Sequence, residues 1–342
     1  MIKKILTGGA LFCAVSSLWG QTKTHLPVID MHLHAIPVND FGTPPVTLGA
    51  PFKLWGATVP GEDYSDTFNT AMKSGAWNAF SLVSPKTDEE LEQATISILR
   101  KRNVYGVLSG SIERVRKWKK AEPRHIINGV YWDFGHIRSE KLDADSLGRL
   151  FKKGEFRVFA EVAIQYEGIV ASDTVFEPYL KMAEAQDIPL GIHVGPGPPG
   201  APFLGTPKYR ARFHSPLVLE EALIKHPKLR IYAMHAGWPM LDDMISMLYT
   251  YPELYVDIGV IDYILPQKEF YYYLKRLVNA GFGKRIMYGS DQMVWPKAME
   301  ISIDNIEKAP FLSRSQKRDI LFNNAARFLR LTPEQIKAMY KP

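Results

Sequence analysis

The stretch Val28-Ile29-Asp30-Met31-His32 is the first of eight short, β-rich runs that recur along the chain, each followed by a longer stretch with helical spacing. The others are Val104-Tyr105-Gly106-Val107-Leu108, Ile126-Ile127-Asn128-Gly129-Val130, Arg157-Val158-Phe159-Ala160-Glu161 and Pro189-Leu190-Gly191-Ile192-His193. Arg230-Ile231-Tyr232-Ala233-Met234-His235, Leu254-Tyr255-Val256-Asp257-Ile258 and Arg285-Ile286-Met287-Tyr288-Gly289 complete the series. Near-continuous apolar runs between helices are what a parallel sheet covered on both faces requires. Eight such units point to an α/β fold, a closed (β/α)8 TIM barrel. The missing Gly-rich phosphate turn after the first run weighs against a dinucleotide-binding sheet. A ninth apolar run, Ala79-Phe80-Ser81-Leu82-Val83, falls inside an insertion at about 36–86 and reads as loop or lid.

Between the runs, Thr87-Asp88-Glu89-Glu90 has the form of a helix start, with Leu91, Ala94, Ile98 and Leu99 following at helical spacing. Pro178 to Asp187, Pro216 to His226 and Leu241 to Tyr251 behave alike. No linker divides the chain, so 21–342 reads as a single catalytic domain. Composition agrees: the 342 residues are 46% apolar and 23% charged, which excludes disordered and coiled-coil classes. The net charge of +6 is scattered, so no nucleic-acid partner is expected.

Residues 1–20 read as a signal peptide. Lys3 and Lys4 precede an apolar stretch from Ile5 to Trp19, and small residues come before Gln21. Cleavage near Gly20-Gln21 predicts an exported protein, periplasmic or secreted, with no stable membrane anchor. An uncleaved anchor is the competing reading. Cleavage would also remove Cys13, the only cysteine, and with it any disulfide or thiol chemistry.

The chemistry gathers at the ends of the runs. His32 and His34 are two apart, so in a strand both imidazoles project to one face. His193, His235, Glu161 and Asp291 also stand at or just past strand ends, which in a (β/α)8 barrel form the catalytic rim. Imidazoles with carboxylates suit a divalent metal, Zn being the expected ion and Mn, Fe or Co compatible. A hydrogen-bonded structural set is the alternative. Simple alternation sets Glu161 opposite Ala160 and Val162, in the barrel mouth. Tyr166 and Trp238 would wall the pocket, and Arg210 and Arg212 could clamp a substrate carboxylate, although a salt bridge to a neighbouring helix is the blander and preferred explanation for either. Asp257 could orient a ligating His. His25, His125, His136, His214 and His226 lack strand-end positions and read as structural or exposed. The run Phe270 to Tyr273 reads as packing or a homo-oligomer interface.

At these residues the sequence resembles the amidohydrolase superfamily. It looks closest to the amidohydrolase-2 branch, which contains metal-dependent hydrolases and aminocarboxymuconate-semialdehyde decarboxylase. The blocks that carry the likeness are Ile29-Asp30-Met31-His32-Leu33-His34, Gly191-Ile192-His193-Val194-Gly195-Pro196, Met234-His235-Ala236-Gly237-Trp238-Pro239, Met287-Tyr288-Gly289-Ser290-Asp291 and Asn323-Asn324-Ala325-Ala326-Arg327. The resemblance implies that His32, His34 and Asp291 hold the principal metal, and that His193 and His235 bind a second ion or act on the substrate. Many two-metal members bridge the ions with a carboxylated Lys on strand four, where this chain has Glu161. The implied activity is hydrolysis of an amide, ester or lactone of a small molecule, with Asp291 moving the proton and His235 or a second ion polarising the carbonyl. The alternative is non-oxidative decarboxylation of a small carboxylic acid. A metal-binding module without turnover fits poorly beside Asp291.

Overall fold

β1 (Val28–Ala35) is buried along its whole length. In the computed structural model, which describes residues 25–133 and 142–341, it begins a sheet of eight parallel strands. Around the sheet follow β2 (Val104–Gly110), β3 (Ile126–Trp132), β4 (Val158–Val162), β5 (Leu190–His193), β6 (Ile231–Met234), β7 (Tyr255–Asp257) and β8 (Ile286–Met287). All eight expected runs are strands, in chain order. Met31 N donates to Tyr288 O at 2.9 Å and Asp291 N to His32 O at 2.7 Å, which brings the last strand back to the first. The Asp30 carboxylate pins this seam by accepting the amides of His32 and Ser290, both at 2.9 Å. The architecture is a (β/α)8 TIM barrel. The expected signal peptide at 1–20 lies outside the described residues.

Two apolar layers follow from the pleat. Outward-facing Leu33, Ala35, Phe159, Val162 and Ala233 pack under the helices. Inward-facing Ile29, Met31, Tyr105, Val107, Val158, Ala160, Tyr232, Met234 and Met287 fill the barrel, with Phe322 and Phe328 from the C-terminal segment. Tyr232 spans the interior to donate to Met31 O at 3.0 Å. Gly191 makes room for it, because a Cβ there would come within 2.4 Å of the Tyr232 ring.

This layering corrects the expectation for Glu161. Ala160 belongs to the inner layer with Val158, so unbroken alternation would turn Glu161 outward beside Phe159. Instead the β4–β5 register shifts between Phe159 and Val162, and the irregularity turns Glu161 into the mouth. The same device acts in β1, whose register shifts between Asp30 and Leu33, so that inner Met31 is followed by inner His32 and His34.

The helix Asp88–Arg102 starts as read, with Thr87 Oγ1 accepting from Glu90 N. Helices Glu177–Ala185 and Leu241–Thr250 also match, while Pro216–Leu219 is a 3-10 turn that leads into the helix Glu220–Lys225. The insertion, read as loop or lid, has secondary structure of its own. Asn78–Val83 is a strand, paired antiparallel with Thr47–Phe52 into a ribbon apart from the barrel. Its partner, Thr47-Leu48-Gly49-Ala50-Pro51-Phe52, has too little β-branched character to announce itself.

Candidate active site

Four histidines and three carboxylates meet at the C-terminal mouth of the barrel, all of them buried. His32 and His34 come from β1, Glu161 from β4 and His193 from the last residue of β5. His235 follows β6, Asp257 ends β7, and Asp291 lies just past β8. Two of the turns that deliver them are strained. His235 and Asp291 hold φ of 61° and 46°, left-handed values that cost an L residue about 1–3 kcal/mol. Hydrogen bonds hold both in place. His235 N donates to Asp257 Oδ1 at 3.0 Å, and Tyr263 donates its hydroxyl to Asp291 O at 2.9 Å.

The imidazoles are oriented from behind. His235 Nδ1 lies 2.9 Å from Gly259 O, and because a carbonyl only accepts, Nδ1 carries the proton and Nε2 presents a lone pair. His34 Nδ1 lies 3.2 Å from Ser109 Oγ, and His32 Nδ1 3.2 Å from Asp257 Oδ2. Asp257 therefore stands behind His32 as expected, while its other oxygen also accepts from Gly259 N. Residues whose role the sequence left unread complete the frame. Gln292 grips His34 through both backbone groups, accepting from its N at 2.9 Å and donating to its O at 2.6 Å. Asp30 holds the seam beneath His32.

In front, His32 Nε2, His34 Nε2, Glu161 Oε2 and Asp291 Oδ1 form a ring. Each imidazole lies 3.3–3.6 Å from Glu161 and 3.1–3.6 Å from Asp291. Ligands about 2.1 Å from a tetrahedral ion are about 3.4 Å apart, so this spacing fits a Zn-sized cation. Among the described residues His32 Nε2 has no hydrogen-bond partner, a buried polar atom that a bound cation would satisfy. Glu161 extends the cluster: its Oε1 is 2.5 Å from His193 Nδ1, which is 3.1 Å from His235 Nε2. The six expected ligands thus form two overlapping sets that share Glu161. Three-residue groups with ligand atoms within 4.8 Å of one another include His32, His34 and Glu161, and Glu161, His193 and His235.

Charge follows the same pattern. Burial opposes ionisation of His32, yet Asp291 and Asp257 outweigh it and raise its pKa well above the usual value. Burial is likewise overcome at Glu161, held well below the carboxylate range by His193, His32 and His34. Asp291 is held low by His32 and His34. Carboxylates that draw protons onto imidazoles this strongly would also draw a divalent cation. His235 goes the other way: burial, with His193 and His32 nearby, lowers its pKa to about 4, so it is neutral at pH 7.

The outer residues divide. The Tyr166 ring lies 4.9 Å from the His193 ring and 5.2 Å from that of Tyr209, so Tyr166 walls the site. Trp238 donates its Nε1 to Glu269 and stacks on Trp55 of the insertion. Arg210 spends Nη1 on the carbonyls of Pro207 and Tyr209, and Arg212 lies over Phe213. Both arginines are exposed, and among the described residues the contacts of each lie within the rim loop. His125 pairs with Glu122 and His226 with Glu177 and Glu184, as structural residues do. His214 Nε2 meets Tyr209 Oη at 2.7 Å within the rim loop. His25 is exposed, and His136 lies outside the described residues.

Solved structures share this fold. A probable 2-pyrone-4,6-dicarboxylic acid hydrolase from Acinetobacter baumannii, with citric acid bound, aligns at a TM-score of 0.56 and 12% identity, covering 90% of this chain and 100% of its own. An amidohydrolase from Burkholderia multivorans with bound Zn aligns at 0.53 and 14%, covering 90% and 100%. A dihydroxybenzoic acid decarboxylase from Polaromonas sp. JS666, with bound manganese and an inhibitor, aligns at 0.52 and 13%, covering 91% and 99%. Among curated proteins no sequence matches. A family model described as Amidohydrolase matches residues 29–331, which take in all of the barrel strands but Val28 and every residue of the histidine–carboxylate cluster, and the chain belongs to that family.

Proposed function

We propose that this chain is an exported, metal-dependent hydrolase that cleaves a carbonyl-type bond (amide, ester or lactone) of a small molecule. The observation that carries the proposal is the ring of His32 Nε2, His34 Nε2, Glu161 Oε2 and Asp291 Oδ1, spaced at 3.1–3.6 Å around one point. These four residues would hold the principal ion, with Zn or Mn suited to the donor set, and Glu161, His193 and His235 could hold a second. The ion supplies a Lewis acid that makes water nucleophilic at neutral pH. Asp291 accepts the proton of the attacking water and returns it to the leaving group. It is ionised at neutral pH, and at 10% exposure its side chain is the most open of the cluster's carboxylates. With Nδ1–H given to Gly259 and a pKa of about 4, His235 accepts rather than donates at Nε2. It therefore serves as ligand or base, and the expected polarising role passes away from it. Tyr166 and Trp238 bound the mouth on the β4 and β6 sides.

The test is a screen of lactones, amides, esters and aromatic carboxylates with Zn- or Mn-loaded protein. Acid release without CO2, abolished by chelation and restored by metal, is expected. Release of CO2 would instead make the enzyme a decarboxylase, and turnover that survives full chelation would remove the metal from the reaction.

A further inference from the structure

We propose that Tyr209 and Gln165 position His235 at the mouth of the barrel, acting through the backbone of Gly195. His235 and Ala236 follow β6 with φ of 61° and 51°, a left-handed turn of two L residues that contacts from outside must hold. Besides Asp257, the hold comes from the segment that leaves β5. Gly237 N donates to Val194 O at 2.9 Å. Gly195 lies directly on the His235 side chain, where a Cβ would come within 2.5 Å of His235 Cβ and 3.4 Å of its Cδ2. The imidazole is confined by Gly195 and by Gly259 O, which takes its Nδ1 proton.

What fixes Gly195 is its own carbonyl. The residue is buried, and two side chains from successive units of the barrel donate to its oxygen. Gln165 Nε2 reaches it from the 3-10 turn Ile164–Glu167 after β4, and Tyr209 Oη from the loop after β5, each at 3.0 Å. Both donors are themselves buried. A buried backbone oxygen stripped of its donors is costly, so these two bonds hold Gly195 in place.

Tyr209 does more than donate once. A hydroxyl has one proton and two lone pairs, and here all three are used. The proton goes to Gly195 O, which only accepts; Gly197 N donates to Oη, and His214 Nε2 at 2.7 Å must then donate as well. One hydroxyl thus ties the start of the loop, at Gly195 and Gly197, to its end at His214. The Tyr209 ring also backs Tyr166, with ring centres 5.2 Å apart, and Tyr166 in turn lies against His193. The arrangement serves the group of Glu161, His193 and His235. His193 stands two residues before Gly195, His235 is held by Gly195 directly, and His193 Nδ1 lies 3.1 Å from His235 Nε2. Tyr209 and Gln165 act at one remove, so their catalytic meaning rests on the proposed function, but their hold on His235 does not.

Exchange of the His235 Nδ1–H proton with water, followed by NMR, tests this in the full chain carrying ¹⁵N-labelled histidine and no added metal. The signal is assigned by its loss in His235→Gln. In Tyr209→Phe combined with Gln165→Ala, that proton should exchange about tenfold faster than in the parent, because the confined ring is freed to move. Gly195→Ala, which keeps both donors and crowds the ring directly, should have the same effect. The imidazole protons of His125 and His226, paired with Glu122 and with Glu177 and Glu184, should keep their rates in every variant. Tyr209→Phe alone, which deletes one hydroxyl and keeps the ring, replaces the combined variant if that one does not fold. An unchanged His235 rate would overturn the proposal, as would equal acceleration at all three histidines, the mark of general loosening. Faster exchange at His235 in a protein that binds no metal would leave the positioning standing while the proposed function fell.

Discussion

Asp291→Asn is expected to lower turnover by about 10²–10⁴-fold, the range for removing a general base. Asn keeps the shape and, like Asp, tolerates the left-handed φ of 46°. The hydrogen bonds of residue 291 to His32 O and from the Tyr263 hydroxyl involve only backbone atoms, so the turn should persist. What goes is the anionic oxygen 3.1 Å from His34 Nε2 and 3.6 Å from His32 Nε2, together with the proton acceptor. Steady-state kinetics alongside metal analysis would check this. Activity within threefold of the parent, at equal metal content, would take Asp291 out of the chemistry.

Glu161→Gln should have the second largest effect, because one carboxylate serves three imidazoles. Its two oxygens meet His193 Nδ1 at 2.5 Å, His34 Nε2 at 3.3 Å and His32 Nε2 at 3.6 Å. Replacing it with a neutral amide removes a charged ligand and leaves those nitrogens facing a weaker acceptor. A two-ion enzyme would lose about one metal equivalent per chain, whereas a one-ion enzyme would keep its stoichiometry and bind the ion about 10–100-fold more weakly. Titration with Zn, followed by elemental analysis, separates the two. Metal content and affinity both unchanged would leave Glu161 only the task of orienting His193.

Much of this architecture could be read before the coordinates, and the parts that could not share a cause. The barrel strands declare themselves because parallel strands buried on both faces must be apolar almost throughout. The ribbon strand Thr47–Phe52 does not, since its Gly49 and Pro51 mask the β pattern. Among the site residues, position at a strand end was legible but direction was only partly so. His193 follows the pleat, being two residues from inner Gly191, while Asp291 lies four residues past the end of its strand on a left-handed turn. Glu161 and His235 break the pleat, each directly after an inner Ala160 or Met234, through a register shift in one case and a left-handed turn in the other. Alternation cannot foresee such breaks. The supports Asp30 and Gln292 were hidden for another reason: each acts through contacts about 258–260 positions away in the chain.

His32, His34, Glu161 and Asp291 are proposed to surround a metal ion. Anomalous diffraction from crystals of the Zn-loaded protein, collected on both sides of the Zn edge, tests this most directly. A peak is expected about 2.0–2.2 Å from His32 Nε2, His34 Nε2 and a carboxylate oxygen of Asp291, with Glu161 at the same ion or between it and a second one at His193 and His235. A cluster without an anomalous peak, its side chains still hydrogen-bonded to one another while Zn sits elsewhere on the protein, would contradict this.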